Sequence, residues 1–198
     1  MLQSFWRYID TYHSLFHGGR CQGWELEELI VKSIKDDTQV RHNVVWREGG
    51  HDDKADIEVE IEKDIYFIQI KSGRYTNNGS FLNISGHRLS RYNDDIGKMT
   101  HYLNGLKSDI ISVPYMQMND DSGRHHKYDF CYISKNDLRN LENDRWDVIL
   151  KSDNSDIARW EQVNEKGVIF QIHKKMSNQI WWKIPKNIIQ YGGSHISN

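Results

Sequence analysis

The 198-residue sequence has few cysteines, no long apolar run and no excess of either charge. Its two cysteines, Cys21 and Cys131, are far apart and outside CxxC spacing, which indicates two reduced structural thiols in a cytosolic protein. No apolar run approaches the length that spans a membrane, and the first residues do not resemble a signal peptide. We therefore expect a cytoplasmic protein that inserts into no membrane.

The net charge of -2 does not by itself indicate a nucleic-acid-binding protein. The distribution of charge is more informative, because residues 166–198 contain no Asp or Glu but five lysines. A second basic cluster is the run Arg124-His125-His126-Lys127. A nearly neutral chain with a basic strip is compatible with a phosphate-binding face, although most charged runs are solvated surface.

The length predicts a single domain, and apolar periodicity predicts both helices and strands along it. Helices are predicted over residues 4–16, 24–36, about 94–106 and 134–141. Strands are predicted over residues 39–47, 57–61, 65–70, 110–118, 128–133, 146–150, 168–173 and 179–184. The last two strands are expected to form a hairpin that Pro185 ends. The pair Trp181-Trp182 is expected to be half core and half surface.

The clearest local pattern lies in residues 49–73, where two alternating apolar runs flank a short charged turn. This pattern predicts a β-hairpin. With a two-residue turn at Lys63-Asp64, Asp56 lies opposite Lys71. One face of the hairpin is then expected to build a core with Ile57, Val59, Ile61, Tyr66, Ile68 and Ile70. The other face carries Asp56, Glu58, Glu60, Phe67, Gln69 and Lys71.

The polar face of this hairpin brings a carboxylate, an amide and an ammonium group together. The oxygens of Asp56 and Gln69 are hard ligands that suit Mg²⁺, and the Ile70 carbonyl could add another. Lys71 could orient a water molecule or neutralise a developing charge. A metal beside a cation fits in-line attack of water on a phosphodiester. The alternative, from spacing alone, is a plain surface salt bridge between Asp56 and Lys71.

This order of an Asp, two strands and then an acid or amide followed two residues later by Lys resembles the PD-(D/E)xK nuclease superfamily. The run IQIKSG at residues 68–73 is similar to many of its members. Ala55-Asp56 with Gln69-x-Lys71 looks like a branch of the type II restriction endonucleases that carries Ser-Asp and then QxK or NxK. Some members of that branch cut short palindromes of four G and C bases. The resemblance covers residues 54–73, and the late WWKIP hairpin is loosely similar as well.

The resemblance implies a restriction-endonuclease-like α/β fold, with a central mixed β-sheet flanked by helices. It implies Mg²⁺ as cofactor, Asp56, Gln69 and Lys71 as catalytic residues, and Asp56, Gln69 and Ile70 as metal ligands. Many members place a Glu on the preceding helix, and Glu25, at the edge of the apolar stripe of that helix, is the candidate here. Asp56 is preferred to Asp52 and Asp53 because it continues directly into the strand.

Residues 1–110 are expected to hold the helices and the catalytic core, and residues 111–198 to complete the sheet and contact DNA. A polar loop after Lys71 and later loops supply residues that suit phosphates and base edges. The candidates for DNA binding are Arg74, Asn77, Asn78, His87, Arg88, Arg91, Arg124, His125, Lys127, Lys174 and Lys175. Double-stranded DNA is therefore the expected partner, with no small-molecule substrate. A palindromic site would favour a homodimer.

The function predicted from the sequence is that of a Mg²⁺-dependent type II restriction endonuclease that cuts double-stranded DNA at a short specific site. One alternative is a structure-specific or repair nuclease of the same fold, such as a junction resolvase. The other is a catalytically inactive DNA-binding protein, which the amide at Gln69 favours.

Overall fold

The structure, a computed structural model, is a mixed, sheet-rich α/β fold with a few helices and an open sheet, which confirms the α/β class of the predicted fold. It describes residues 1–12, 23–37, 42–46, 55–76, 78–88, 90, 93, 106–120, 123–138, 147–151, 160–173 and 178–197. The predicted helix over 94–106 lies outside these residues except for Leu106, which is buried.

The chain forms two compact units, and neither is a continuous stretch of sequence. Unit 1 consists of residues Met1–Ser72, Lys107–Tyr132 and Gln190–Asn198. Unit 2 consists of residues Gly73–Leu106 and Ile133–Ile189.

Within the described residues, unit 1 has two helices and six strands. The helices are α1 (Leu2–Tyr12) and α2 (Trp24–Lys35). The strands are β1 (His42–Trp46), β2 (Ile57–Ile61), the first part of β3 (Asp64–Tyr75), β5 (Asp109–Asp120), β6 (Gly123–Ile133) and β11 (Gln190–Ser197). The strands pair in the order β11-β6-β5-β3, and β2 joins β3 to β1.

Apolar periodicity explains the core of unit 1. Phe5 and Ile9 of α1 and Leu26 and Ile30 of α2 lie four residues apart and are fully buried. Their helices pack on the apolar side of β2 and β3, where Ile57 is also buried. Burying one such side chain contributes about 1.5–3 kcal/mol. This core leaves the other face of the β2–β3 hairpin for polar residues.

Unit 2 is built on a second run of antiparallel strands. Its elements are β4 (Phe81–Arg88), the short helix α3 (Lys135–Leu138), β7 (Asp147–Lys151), β8 (Trp160–Val163), β9 (Ile169–His173), β10 (Gln179–Pro185) and a 3-10 turn (Lys186–Ile188). The order is β4-β10-β9-β8-β7, and the end of β3 pairs with β4. The predicted β9–β10 hairpin is confirmed.

Two predicted loops are wrong. The polar stretch after Lys71 is a β3–β4 hairpin with a tight turn, in which the Gly79 N–H donates to the Thr76 carbonyl at 2.7 Å. Residues 119–127, which separate the predicted strands 110–118 and 128–133 and were expected to form a loop, belong mostly to β5 and β6. In both places the polar side chains do not prevent strand pairing, because the backbone supplies the ladder hydrogen bonds. The strands β8 and β11 have no counterpart among the predicted elements.

Candidate active site

The β2–β3 hairpin has the predicted faces but a different register. Ile57 lies opposite Ile68 and Ile61 opposite Asp64, so the two-residue turn is Glu62-Lys63. The predicted pairing of Asp56 with Lys71 is therefore wrong by two positions, and continuing the observed register brings Gln69 opposite Asp56. A shift of two residues leaves every side chain on its face.

Asp56 holds the open end of the hairpin together. Its backbone N–H donates to the Ile68 carbonyl at 3.0 Å, which extends the ladder one residue beyond β2. Its Oδ2 accepts a hydrogen bond from the Ile70 N–H at 2.7 Å. The carboxylate thus satisfies a backbone donor on β3 that β2 is too short to reach.

The Lys71 ammonium completes this arrangement. Lys71 Nζ lies 3.5 Å from Asp56 Oδ2, and both side chains are 22% exposed. The pair is close enough for strong mutual attraction and open enough for a ligand to reach. The side chains of Gln69 and Lys71 share one face of β3 because they are two residues apart. Gln69 is buried, with 6% of its surface exposed.

The donor set fits a hard divalent cation. Among the residues that the structure describes, Asp56 Oδ1 has neither a hydrogen bond nor an ion pair, so one carboxylate oxygen is available. The Gln69 amide oxygen and the Ile70 carbonyl are neutral oxygen donors of the kind Mg²⁺ accepts. Within the described part of the chain, no group of three His, Cys, Asp or Glu side chains forms a metal site. The predicted set depends instead on an amide and a backbone carbonyl.

Glu25 stands apart from these contacts. It is the second residue of α2 and is half-buried, as its predicted place at the edge of the apolar stripe requires. None of the described hydrogen bonds or ion pairs joins it to Asp56. Glu28, on the same helix, is half-buried and pairs with Lys32 at 2.9 Å. Glu58, which shares the polar face, is half-buried opposite Phe67.

The candidate DNA-binding residues lie on strands β3, β4 and β6, in the β3–β4 turn, or outside the described residues. Arg74 and Arg88 are exposed on β3 and β4, and Asn78 Oδ1 accepts from Ser80 N and Thr76 Oγ1 within the turn. His125 and Lys127 lie on β6, where Lys127 pairs with Asp129 at 3.8 Å. His87 and Arg124 lie in β4 and β6. Outside the described residues lie Asn77, Arg91, Lys174 and Lys175.

Sequence reasoning missed two groups of contacts. The first is the Ile70 N–H, whose bond to Asp56 is a backbone contact that no side-chain pattern signals. The second is a row of polar side chains on β9 and β10, which the alternation of IFQIH and QIWWKIP does signal. Trp182 is buried and Trp181 half-exposed, which fits the prediction that the pair is half core and half surface.

The cysteines, the lengths of the helices and comparisons with known proteins give further information on the chain. Cys131 is buried and forms no disulfide within the described residues, and Cys21 lies outside them. None of the helices in the described ranges is long and apolar enough to cross a membrane. Comparisons of the chain with protein-family models, with curated proteins and with solved structures gave no match.

Proposed function

We propose that this protein is a Mg²⁺-dependent type II restriction endonuclease that hydrolyses double-stranded DNA at a short specific site. One observation carries the proposal: Asp56 and Lys71 lie 3.5 Å apart beside Gln69, at the open end of a hairpin whose opposite face is core. The motif resemblance to the PD-(D/E)xK superfamily names the same three residues.

Asp56, Gln69 and the Ile70 carbonyl would hold the metal. When bound, Mg²⁺ would activate a water molecule and stabilise negative charge on the phosphate. Asp56 is suited to this role because the Ile70 N–H fixes the orientation of its carboxylate while Oδ1 stays available. A carboxylate that is already oriented before the reaction does not have to reorganise when negative charge develops on the phosphate.

Lys71 would act on the attacking water and the phosphate. Its ammonium is a compact cation with three donors, held on the same strand face as Gln69. Partial burial strengthens its field relative to a fully solvated lysine. We assign it the task of positioning the water and offsetting the charge that develops on phosphate. Glu25 is the residue that we propose completes the site from α2.

The proposed partner is duplex DNA, and the proposed setting is the cytoplasm with no small-molecule substrate. A palindromic site would be cut by a homodimer, because two identical active sites then meet the two strands equivalently. Sedimentation of the protein with and without DNA tests this point: a monomer on DNA would contradict the dimer.

Cleavage of plasmid DNA with Mg²⁺, followed by sequencing of the ends, tests the function. Restriction predicts discrete fragments that share one end sequence. Cutting confined to branched DNA would instead support a structure-specific nuclease of the same fold.

A second function has its own supporting observation. Gln69 carries no charge, and Asp56 Oδ2 already has two partners in Ile70 and Lys71. Both features favour a DNA-binding protein without catalysis. Binding that needs no metal, with no cleavage in Mg²⁺ or Mn²⁺, would establish it.

A further inference from the structure

One face of the unit 2 sheet is polar, and the other is core. Residues that pair directly across strands share a face. Lys183 lies opposite Asn83, which lies opposite Arg74, and Trp181 lies opposite Gln171. We call this surface the polar face of unit 2, and its members are Arg74, Asn83, Gln171, His173, Trp181 and Lys183.

The opposite face of this sheet packs into the core, and the polar face is partly exposed. Ile84, Phe170 and Trp182 alternate with members of the polar face and are buried, with exposures of 1%, 0% and 6%. On the polar face, Gln171 is buried, Arg74 is exposed, and the other members are half-exposed, namely Asn83, His173, Trp181 and Lys183. An antiparallel sheet with one packed and one open face can present the open face to a ligand.

The polar side chains are held in place by one another. Glu161 Oε1 accepts from Gln171 Nε2 and lies 3.5 Å from Lys183 Nζ. His173 Nε2 lies 2.9 Å from Gln171 Oε1. The centroids of the His173 and Trp181 rings are 5.7 Å apart. Burial and the Lys183 ammonium lower the pKa of His173, so its ring is neutral near pH 7 and can both donate and accept.

Two polar atoms on this face have no partner within the described structure. They are the Asn83 amide oxygen and the Trp181 Nε1–H. One is an acceptor and the other a donor, and they sit on the adjacent strands β4 and β10. Buried polar atoms without partners are rare in folded proteins, and a bound group that supplies the partner is one physical explanation.

The charges indicate the kind of ligand. Arg74, Lys183 and Arg88 (which lies opposite Gln179) bring three cations, and Glu161 is the acid that faces Lys183. Arg and Lys suit phosphates, whereas Asn, Gln and His suit base edges.

We infer that the polar face of unit 2 binds duplex DNA, with Arg74 and Lys183 on phosphates and Asn83 on a base edge. This inference rests on the proposed function and adds the surface that reads the sequence. The residues that contact bases would then lie on strands instead of loops, and strands hold their side chains more rigidly.

Binding without divalent metal tests the inference. The probes are a randomised duplex library and the duplex that the wild-type protein enriches from it. We expect Arg74→Ala and Lys183→Met to weaken binding to both probes about tenfold and to lower the salt slope by about one each. The matched control is Lys63→Ala, which removes the same charge from the turn of the β2–β3 hairpin and is expected to bind like the wild type.

Asn83→Leu separates recognition from folding. It removes an oxygen that lacks a partner, so we expect an unchanged or higher melting temperature. We expect its preference for the enriched duplex over the library to fall about tenfold, since a base contact is lost. A merely structural asparagine would not alter that preference.

Two results would overturn the inference. One is that Arg74→Ala, Lys183→Met and Asn83→Leu all bind DNA with the affinity and the sequence preference of the wild-type protein. The other is a wild-type protein that enriches no sequence. If those variants bind normally while the wild type cuts DNA and Asp56→Asn does not, the inference fails and the proposed function stands. If the wild type binds DNA through the polar face but never cuts it, the proposed function fails instead.

Discussion

The Asp56 carboxylate has a structural role and a proposed chemical role on different oxygens. Oδ2 accepts from the Ile70 N–H and faces Lys71, while Oδ1 has no partner among the described residues. A hydrogen bond to a charged group contributes about 1.5–3 kcal/mol, so removing the whole side chain would also loosen the hairpin. Substitution by Asn keeps an acceptor for Ile70 and removes the charge.

Gln69 is the residue at which the site departs from a fully acidic metal centre. Its side chain is buried, so Gln69→Glu would place a carboxylate where desolvation disfavours charge. We expect a lower melting temperature without metal and a larger rise on adding Mg²⁺ than in the wild type, because bound cation stabilises the folded state. Thermal melts with and without Mg²⁺ measure this.

The control for that prediction is Gln117→Glu, which adds the same charge at an exposed position on β5. Its response to Mg²⁺ should equal that of the wild type. Equal responses in Gln69→Glu and Gln117→Glu would argue against a cation at Gln69.

His173 makes the stability of the protein depend on pH. Burial, and then the Lys183 ammonium, lower its pKa below the ordinary 6.5, against a smaller opposite effect of Glu161. The unfolded chain therefore binds more protons below about pH 6.5. The contribution of His173 is fully present above about pH 6.5 and is lost as the pH falls through the lowered pKa.

We expect the free energy of unfolding to fall between about pH 7 and pH 5, and to fall less steeply in His173→Gln. Urea unfolding across this range measures both slopes. Lys183→Met should raise the pKa of His173, which its NMR titration would show. Equal pH slopes in the wild type and His173→Gln would contradict this account of His173.

At the scale of elements, the β2–β3 hairpin shows what alternation can and cannot predict. The alternation of apolar and polar residues assigned each residue of the two strands to a face of the hairpin. A change of register by two residues preserves that assignment. The choice between a turn at Lys63-Asp64 and one at Glu62-Lys63 depends on local backbone conformation. Glu62 has a φ of 59°, a left-handed conformation that the charged sequence does not signal.

That conformation is costly for a residue with a side chain, by roughly 1–2 kcal/mol. Glu62→Gly should therefore stabilise the protein, by about 0.5–1 kcal/mol after the entropy of the flexible glycine is included. Lys63→Gly is the matched control, because Lys63 has no positive φ and only the entropic cost remains. Denaturant unfolding should show opposite signs for the two variants, and a loss of stability in both would contradict the turn.

Strand β11 could not be predicted because its pattern is weak and its partner is remote. It contains Gly192 and Gly193, which do not favour strands, and it pairs with β6. His195 on β11 contacts Asp10 of α1 at 2.7 Å, across almost the whole chain. Strand β8 was not predicted because a strand of four residues is too short to show a clear apolar periodicity. Long, amphipathic α2 was predicted almost to its ends.

At the scale of the whole molecule, the chain passes between the two units four times. Asp56, Gln69 and Lys71 all lie in unit 1, so the proposed active site belongs to one compact unit. Its residues were predictable because they are near one another in sequence and on one hairpin face. The polar face of unit 2 was not, because Lys183 on β10 meets Asn83 on β4 only through pairing of strands that are far apart in the sequence.

The rate of Mg²⁺-dependent plasmid cleavage by matched variants of the β2–β3 hairpin tests the central claim most directly. We predict that the wild type cuts, and that Asp56→Asn and Lys71→Met each slow cutting by about a hundredfold or more. Glu60→Gln, on the same face of β2 but exposed, should cut at the wild-type rate. Melting temperatures close to that of the wild type would assign the loss to chemistry. Cutting by Asp56→Asn or Lys71→Met at the wild-type rate, or no cutting by the wild type, would contradict the claim.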